Sequence, residues 1–311
     1  MSATTLPNRR WAGASPRLSV LTPFFRDDPR PLIARLASEA EALDDAVELV
    51  LLDDAGGDPA RSAAAAAALA ASALPAALVA LGRNGGRARA RNRLAAAARG
   101  RHLLFVDADM LPDRPDFLRS WLALADREDA PAAFGGFSLD QASPGAEHRL
   151  HHALQLRAEC LPAAERERTP AKHVFTSNLL VRRDVLEAEP FDESFAGWGW
   201  EDVEWGARVA ARFGVRHIDN PATHLGLDTA AALAAKYEQS PPNFARLLGR
   251  HPELVRAFPA YRAARLLSRL PARGPLRRGL KAVALAEAAP LRARTAAMRL
   301  YKAALYAEVV R

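Results

Sequence analysis

Arg101-His102-Leu103-Leu104-Phe105-Val106-Asp107-Ala108-Asp109 is the stretch whose reading decides the fold. Leu103 to Val106 are uninterrupted apolar residues bounded by charge. Such a short run predicts a strand buried on both faces of a parallel sheet. It stops at two carboxylates. Along an extended chain, residues i and i+2 point the same way, so Asp107 and Asp109 are expected to face one ligand together. Two close carboxylates repel, and a divalent cation between them relieves the repulsion. Hard oxygen ligands suit Mg²⁺ or Mn²⁺ shared with substrate phosphates. A solvated turn after a strand is the competing reading, and an Asp-x-Asp by itself does not exclude it.

The sequence upstream repeats the pattern. Arg17-Leu-Ser-Val-Leu-Thr-Pro-Phe-Phe predicts a first strand, near 18–22, running into a loop at Thr22-Pro23. Val47 to Leu52 predicts a second buried strand, which also ends in carboxylates, Asp53 and Asp54. Helical spacing covers Pro31 to Leu43, Ala60 to Leu74 and about Arg87 to Ala98, with a shorter strand at Ala76 to Leu81. Strands alternating with helices predict an α/β fold with a mainly parallel central sheet. Ligands collect beyond the carboxyl ends of such strands, and two Asp pairs at one sheet edge are harder to dismiss than one. After Pro112 the order changes: a helix at Phe117–Ala125, an irregular strand at Ala132–Leu139, a helix at Glu147–Glu159, and a strand over His173–Val181 containing Thr176, Ser177 and Asn178. A Gly- and Trp-rich loop, Phe191–Trp200, precedes a helix at Glu201–Phe213 and a last strand at Val215–Ile218, with His224 in the loop beyond.

Gly197-Trp198-Gly199-Trp200-Glu201-Asp202 is the second unusual stretch. Glycines let a backbone approach a ligand closely, and the two indoles offer flat apolar faces suited to sugar rings. Glu201 and Asp202 open a helix, where its dipole favours negative charge. An ordinary acidic helix start with a buried Trp is the alternative. His148, His151 and His152 share one helix face. They read as a polar or acceptor-side face, since no carboxylate partner is evident beside them. Gly82-Arg-Asn-Gly-Gly-Arg lacks the Gly-Lys-Ser/Thr ending of a phosphate loop and reads as a loop beside the ligand at the sheet edge, which the family resemblance below makes a nucleotide.

Thr22-Pro23, Leu52-Asp53-Asp54, Ala90-Arg91-Asn92, Phe105-Val106-Asp107-Ala108-Asp109 and Gly197-Trp198-Gly199-Trp200-Glu201-Asp202 follow one another at spacings that resemble an inverting family 2 glycosyltransferase of the GT-A fold. The last motif is similar to that of β-1,4-galactosyltransferases, chondroitin polymerases and polypeptide N-acetylgalactosaminyltransferases. The resemblance implies a nucleotide-sugar donor, of the UDP type, a saccharide or lipid-linked acceptor, and Mn²⁺ or Mg²⁺. It implies that Thr22, Pro23 and Phe24 line the base pocket and that Asp54 accepts the uracil imide N–H. Arg91 or Asn92 would lie near the nucleotide, and Asp107 near the ribose or metal. Asp109 would ligate the metal, completed by His224. Asp202, with Glu201 as competitor, would be the general base. Trp198, Gly199, Trp200 and Asn178 would face sugar or acceptor. Two departures stand out: the first loop reads Thr-Pro-Phe-Phe-Arg where relatives carry Tyr-Asn, and Trp200 replaces a common glycine, so its ring is expected to narrow the pocket.

The remaining properties bound the reading. The chain has 311 residues, half of them hydrophobic, and one cysteine, Cys160. A lone cysteine forms no intrachain disulfide, which fits a reducing compartment, and it carries no nucleophile signature. Residues 1–16 are expected to be disordered, 17–228 to form the catalytic domain and 229–311 a helical, basic extension. From Tyr261 to Arg311 twelve Lys or Arg face only Glu287 and Glu308, a net +10 that leaves −3 on residues 1–260. Pro271, Pro275 and Pro290 are expected to break this part into two or three helices. Basic amphipathic helices suit an anionic membrane surface, so a cytoplasmic protein peripheral at the inner face of the membrane is expected, building a surface polysaccharide or glycolipid. No nucleic-acid partner is implied. The rival functions are a nucleotidyltransferase, which would want a basic phosphate loop after the first strand, and a non-catalytic carbohydrate-binding protein, which would leave the Asp pairs unexplained.

Overall fold

The computed structural model describes residues 3–127 and 130–310. Its strands are β1 (Ala3–Pro7), β2 (Leu18–Phe24), β3 (Val47–Asp53), β4 (Ala76–Leu81), β5 (His102–Val106), β6 (Met110–Pro112), β7 (Ala132–Phe134), β8 (Phe137–Ser138), β9 (Asn178–Arg182), β10 (Arg216–His217) and β11 (Ala222–His224). Eight form a central sheet in the order β1-β4-β3-β2-β5-β9-β7-β10. The four strands β4, β3, β2 and β5 are parallel, while β1 and β9 run against their neighbours. The sheet is therefore mixed, with a parallel centre, and helices flank it.

The apolar runs are buried on both faces, as read from the sequence. Leu49, Leu51 and Leu104 join one cluster with helices Arg30–Ala40, Pro59–Ala71 and Phe117–Asp126. Val50, Leu52, Leu103 and Phe105 alternate with them and join the opposite cluster, with helices Arg87–Ala97 and Glu201–Arg212. The register Phe24↔Asp53 and Leu21↔Phe105 brings the ends of β2, β3 and β5 to one edge. That edge carries both Asp pairs.

A small second sheet completes it. β11 lies between β6 and β8, with His224 opposite Met110. This pairing puts His224 beside Asp109 at the end of a strand rather than in the expected loop.

Four other expectations are corrected. Within the 1–16 segment, Ala3–Pro7 is a strand paired antiparallel with β4. All five residues are exposed, so no apolar alternation announces it. Asn8 secures it, donating to the Leu69 and Leu74 carbonyls and accepting from the Ala76 N–H. The predicted strand over His173–Val181 shrinks to Asn178–Arg182, because His173 closes a 3₁₀ turn instead. Pro275 does not break a helix. It sits in the first turn of Arg273–Leu285, where a missing N–H costs nothing.

The C-terminal extension is also less separable than expected. Its helices share a core with Leu150, Leu154 and Val203 of the preceding part of the chain. Phe244, Phe258, Met298, Tyr301 and Tyr306 are buried in it. The last stretch forms three helices, Pro259–Leu267, Arg273–Leu285 and Leu291–Tyr306. Among the described residues no helix is long and apolar enough to cross a membrane.

Candidate active site

β5 delivers Asp107 and Asp109 to the edge of the sheet, and the chain turns back immediately into β6. Asp109 Oδ2 lies 3.1 Å from His224 Nε2, and His224 Nδ1 lies 3.0 Å from Gln155 Oε1. Each ring nitrogen thus faces an oxygen. Burial opposes ionisation of Asp109, but the His224 hydrogen bond and charge outweigh it and hold the carboxyl below its ordinary value. Burial likewise disfavours the His224 cation, and the same bond outweighs it and raises His224. Gly226 must be glycine here, since a Cβ would meet Asp109 Oδ2 at 2.0 Å.

Asp107 turns elsewhere. Its Oδ1 accepts from Arg91 Nη2 at 3.3 Å. Arg91 is 2% exposed and also faces Glu201 at 3.4 Å and Asp202 at 3.6 Å. Burial works against this cation, but Asp202, Asp107 and Glu201 together outweigh it and raise its pKa. The expected set Asp107, Asp109 and His224 is thus assembled in two parts, one around His224 and one around Arg91. Among the described residues, no three His, Cys, Asp or Glu side chains converge as a metal-binding group. A carboxylate and an imidazole are nonetheless a chemically suitable donor pair, because Mg²⁺ and Mn²⁺ take one or two protein ligands and fill the rest with phosphate oxygens and water.

Glu201 and Asp202, adjacent at the helix start, differ sharply. Glu201 is clamped by Arg91 and, at 3.8 Å, Arg87. Asp202 Oδ2 accepts from the Thr176 N–H at 3.3 Å, whereas its buried Oδ1 accepts no hydrogen bond. Burial and the neighbouring Glu201 charge push Asp202 up to about 6, against the pull of Arg91. A carboxylate with one oxygen free of hydrogen bonds and a pKa near neutrality has the properties of a general base.

The glycine-rich loop before this helix is built by left-handed backbone. Gly197, Gly199 and Trp200 have φ of +76°, +89° and +77°. Asn243 Nδ2, from the C-terminal extension, ties the loop through the Ala196 and Gly199 carbonyls at 2.9 and 3.0 Å. Trp198 packs on Tyr237 at 5.5 Å. Trp200 corrects an expectation. Its ring does not narrow the pocket but enters the helical extension, against Phe244, Phe258 and Tyr306. A left-handed φ is the reason glycine suits this position, and Trp is retained here by packing.

The remaining expected residues divide. Asp54 accepts from the Gly85 and Gly86 N–H groups at 2.6 and 3.1 Å, shaping the Gly82–Gly86 loop. Burial raises its pKa against those bonds. Thr22 is buried with an unpartnered Oγ1, and Pro23 is half-buried. Phe24 is turned into the core and does not line a pocket. Asn92 spends its amide on the Phe191 backbone, donating to the carbonyl and accepting from the N–H, so it braces the loop rather than facing a nucleotide. Asn178 is 0% exposed and donates to the Gly136 and Asn220 carbonyls; no sugar reaches it. His151 does have a carboxylate neighbour, Asp228, at 3.7 Å. Its Nδ1 accepts from the Asp228 N–H at 2.8 Å, and burial drives it down to about 4. Burial pushes the Cys160 thiol up to about 12, so it is no nucleophile.

Sequence reasoning missed Asp27, which is raised by burial and by the charges of Asp109 and Asp107. It missed Gln155, Asn243 and Tyr306 as well. No local pattern marks them, because their partners lie 44 to 106 residues away.

The profile of glycosyl transferase family 2 matches residues 19–189. The match spans more than half of the chain, and the protein belongs to this family. It is a glycosyltransferase using a nucleotide-diphospho-sugar, which sets aside the nucleotidyltransferase and binding-protein readings. No curated protein sequence matches it. Among solved structures it resembles a mannosyltransferase from Pyrobaculum calidifontis in complex with GDP-Man and Mn²⁺, with a TM-score of 0.58 at 20% identity over 97% of this chain and 89% of that one. It also resembles S. aureus TarS 1–349 in complex with UDP-GlcNAc, with a TM-score of 0.53 at 15% identity over 92% and 89% of the two chains. At such identities the likeness concerns the fold.

Proposed function

We propose that the protein is an inverting transferase moving a sugar from a UDP-sugar to a hydroxyl of a saccharide or lipid-linked acceptor. The product would be a surface polysaccharide or glycolipid. The observation that carries this reading is Asp202: a buried carboxylate whose Oδ1 accepts no hydrogen bond and faces Arg91 at 3.6 Å, which joins it to Asp107 at the sheet edge.

The chemistry follows from that placement. The acceptor hydroxyl attacks the anomeric carbon as the bond to the diphosphate oxygen breaks on the opposite face. Asp202 accepts the hydroxyl proton. Glu201, held by two arginines, keeps the helix start in place and Arg91 oriented. Arg91 stays charged throughout and holds Asp107 and Asp202 at fixed separation. Asp109 and His224 would hold Mn²⁺ or Mg²⁺, which would neutralise charge on the leaving diphosphate. Trp198 would offer its face to a sugar ring, and Asp54 and Arg91 would lie by the nucleotide.

The exposed Leu266, Leu270, Val283, Leu291 and Leu300, interspersed with arginines, support attachment of the extension to an anionic membrane surface. Thermal shift tests the central reading. UDP with Mn²⁺ should stabilise the protein where CTP or free sugars do not. A nucleotide-sugar panel scored for metal-dependent hydrolysis would then name the donor. A protein that no UDP-sugar stabilises, with or without metal, would rule the proposal out.

A further inference from the structure

The C-terminal helix Leu291–Tyr306 brings a lysine into the neighbourhood of this site. Lys302 Nζ lies 4.6 Å from the centroid of Tyr237, 5.4 Å from that of Trp200 and 5.6 Å from that of Trp198. Three rings from two different segments thus surround one ammonium. The anionic charge that acts on it is that of Glu159, which also acts on His224 and is hydrogen-bonded by Gln155. Gln155 in turn touches His224, and His224 touches Asp109. A polar line therefore runs from the sheet edge through His224 and Gln155 to Glu159, whose charge acts on Lys302.

The ammonium is incompletely satisfied. Among the described residues no carboxylate comes within the 4.0 Å of an ion pair with it. Ring faces attract a cation but accept no ordinary hydrogen bond, and such contacts contribute only about 0.5–2 kcal/mol. Burial pushes Lys302 down to about 8. Yet the residue is only partly buried, and its Nζ is not among the fully enclosed polar atoms that lack a partner, so it keeps contact with solvent. If its role were purely to fasten the helix, a leucine or methionine would do so without desolvating a charge. A shielded, reachable and unpaired cation is the environment in which an oxyanion binds.

We infer that Lys302, framed by Trp198, Trp200 and Tyr237, binds an oxyanion carried by the acceptor, beside the sugar face offered by Trp198. The acceptor is therefore a charged molecule, a phosphorylated or carboxylated saccharide or lipid-linked glycan. This deepens the glycosyltransferase reading and rests on it for the word acceptor. The binding of the anion itself does not depend on it.

The test uses the full chain and inorganic phosphate, with acetate as a second arm, at constant ionic strength. Binding is followed by tryptophan fluorescence, since two indoles frame the ammonium, and by calorimetry. EDTA is present in one series, saturating UDP with Mn²⁺ in another. Phosphate should bind in both series. Lys302→Met should weaken it roughly tenfold or more, and Lys302→Arg should retain it. Acetate binding as well as phosphate would indicate a carboxylated acceptor, and phosphate alone a phosphorylated one. Should Lys302→Met fail to fold, ¹³C-dimethylated wild-type protein reports the same contact as a phosphate-induced shift of the Lys302 methyl resonance. Absence of any binding by the wild type, or equal binding by Lys302→Met, overturns the inference. Competition between phosphate and UDP also overturns it, by moving the anion to the donor. Phosphate binding in a protein that ignores UDP would leave the lysine site standing and sink the transferase reading instead.

Discussion

Trp200 donates its indole N–H to the Tyr306 hydroxyl at 2.9 Å, which joins the start of the Glu201–Arg212 helix to the end of the chain. Tyr306 also bonds Ser240 at 3.0 Å and stacks on Phe244 with centroids 4.1 Å apart. The loop that carries Trp198 and precedes Asp202 is thus held from outside by the extension. Position 200 is left-handed, a conformation costing a non-glycine residue of order 1–3 kcal/mol. Trp200→Gly would relieve that strain but remove a partly buried ring from its three aromatic neighbours, where losing a fully buried Trp costs roughly 3–5 kcal/mol and this ring somewhat less. We expect a net loss of roughly 1–3 kcal/mol, read as a lower urea midpoint. A rise in stability would show that the ring contributes less than the strain it imposes.

Removal of a proposed metal ligand should separate binding from folding. Asp109→Ala should abolish the metal-dependent part of UDP binding in calorimetry. His224→Ala should weaken metal affinity less, because the carboxylate remains. Asp109 is engaged only at the sheet edge, so the circular dichroism of both variants should match the wild type. Undiminished UDP affinity of the unaltered protein in EDTA would rule out the metal.

The extension is not expected to survive as a detachable anchor. Truncation would bare Leu150, Leu154 and Val203, so point changes are the sound test of membrane binding. Arg262, Arg265 and Arg269 are exposed beside Leu266 and Leu270. Replacing all three with Gln should weaken binding to phosphatidylglycerol vesicles, at about 1 kcal/mol per charge near the surface. Salt should weaken wild-type binding in the same direction. Equal binding of both proteins at low salt would locate the membrane contact elsewhere or nowhere.

The parallel centre of the sheet was legible because each strand is buried on both faces, so Leu103 to Val106 needed no partner to be recognised. Ala3–Pro7 was not, because only its backbone is engaged. The Asp pairs were legible as a sheet-edge feature. Their division between His224 and Arg91 was not, since it depends on β11 pairing with β6 across more than a hundred residues. Asp202 stood out by its place at a helix start. Only packing distinguishes it from Glu201, through Arg87 and Arg91. Trp200 misled because aromatic character suggests a sugar face, while a backbone dihedral, invisible in the sequence, turns the ring inward.

Asp202→Asn supplies two independent readings of one carboxylate. As general base, Asp202 must be ionised, so wild-type kcat/KM should rise with pH through about 6 and then level. An amide keeps the shape but is a very poor base, so turnover should fall by roughly 10²–10⁴. UDP affinity should change little, with Asp109 and Asp54 untouched. Stability should move oppositely. The folded protein holds this proton more tightly than an ordinary carboxyl of 3.8 does. That contribution is therefore fully present below pH about 4 and is lost as pH rises through about 6. The neutral amide escapes the loss. Asp202→Asn should match the wild type near pH 4 and exceed it at pH 8, by roughly 1–3 kcal/mol. Glu201→Gln is the matched control. It loosens the contacts with Arg91 and Arg87, so it should lower stability at pH 8 while leaving the base in place. If Asp202→Asn transfers sugar normally and Glu201→Gln does not, the base is Glu201. If both remain active, the base lies outside this helix. A gain in stability at pH 8 without a loss of turnover would make Asp202 a buried carboxylate with no part in the chemistry.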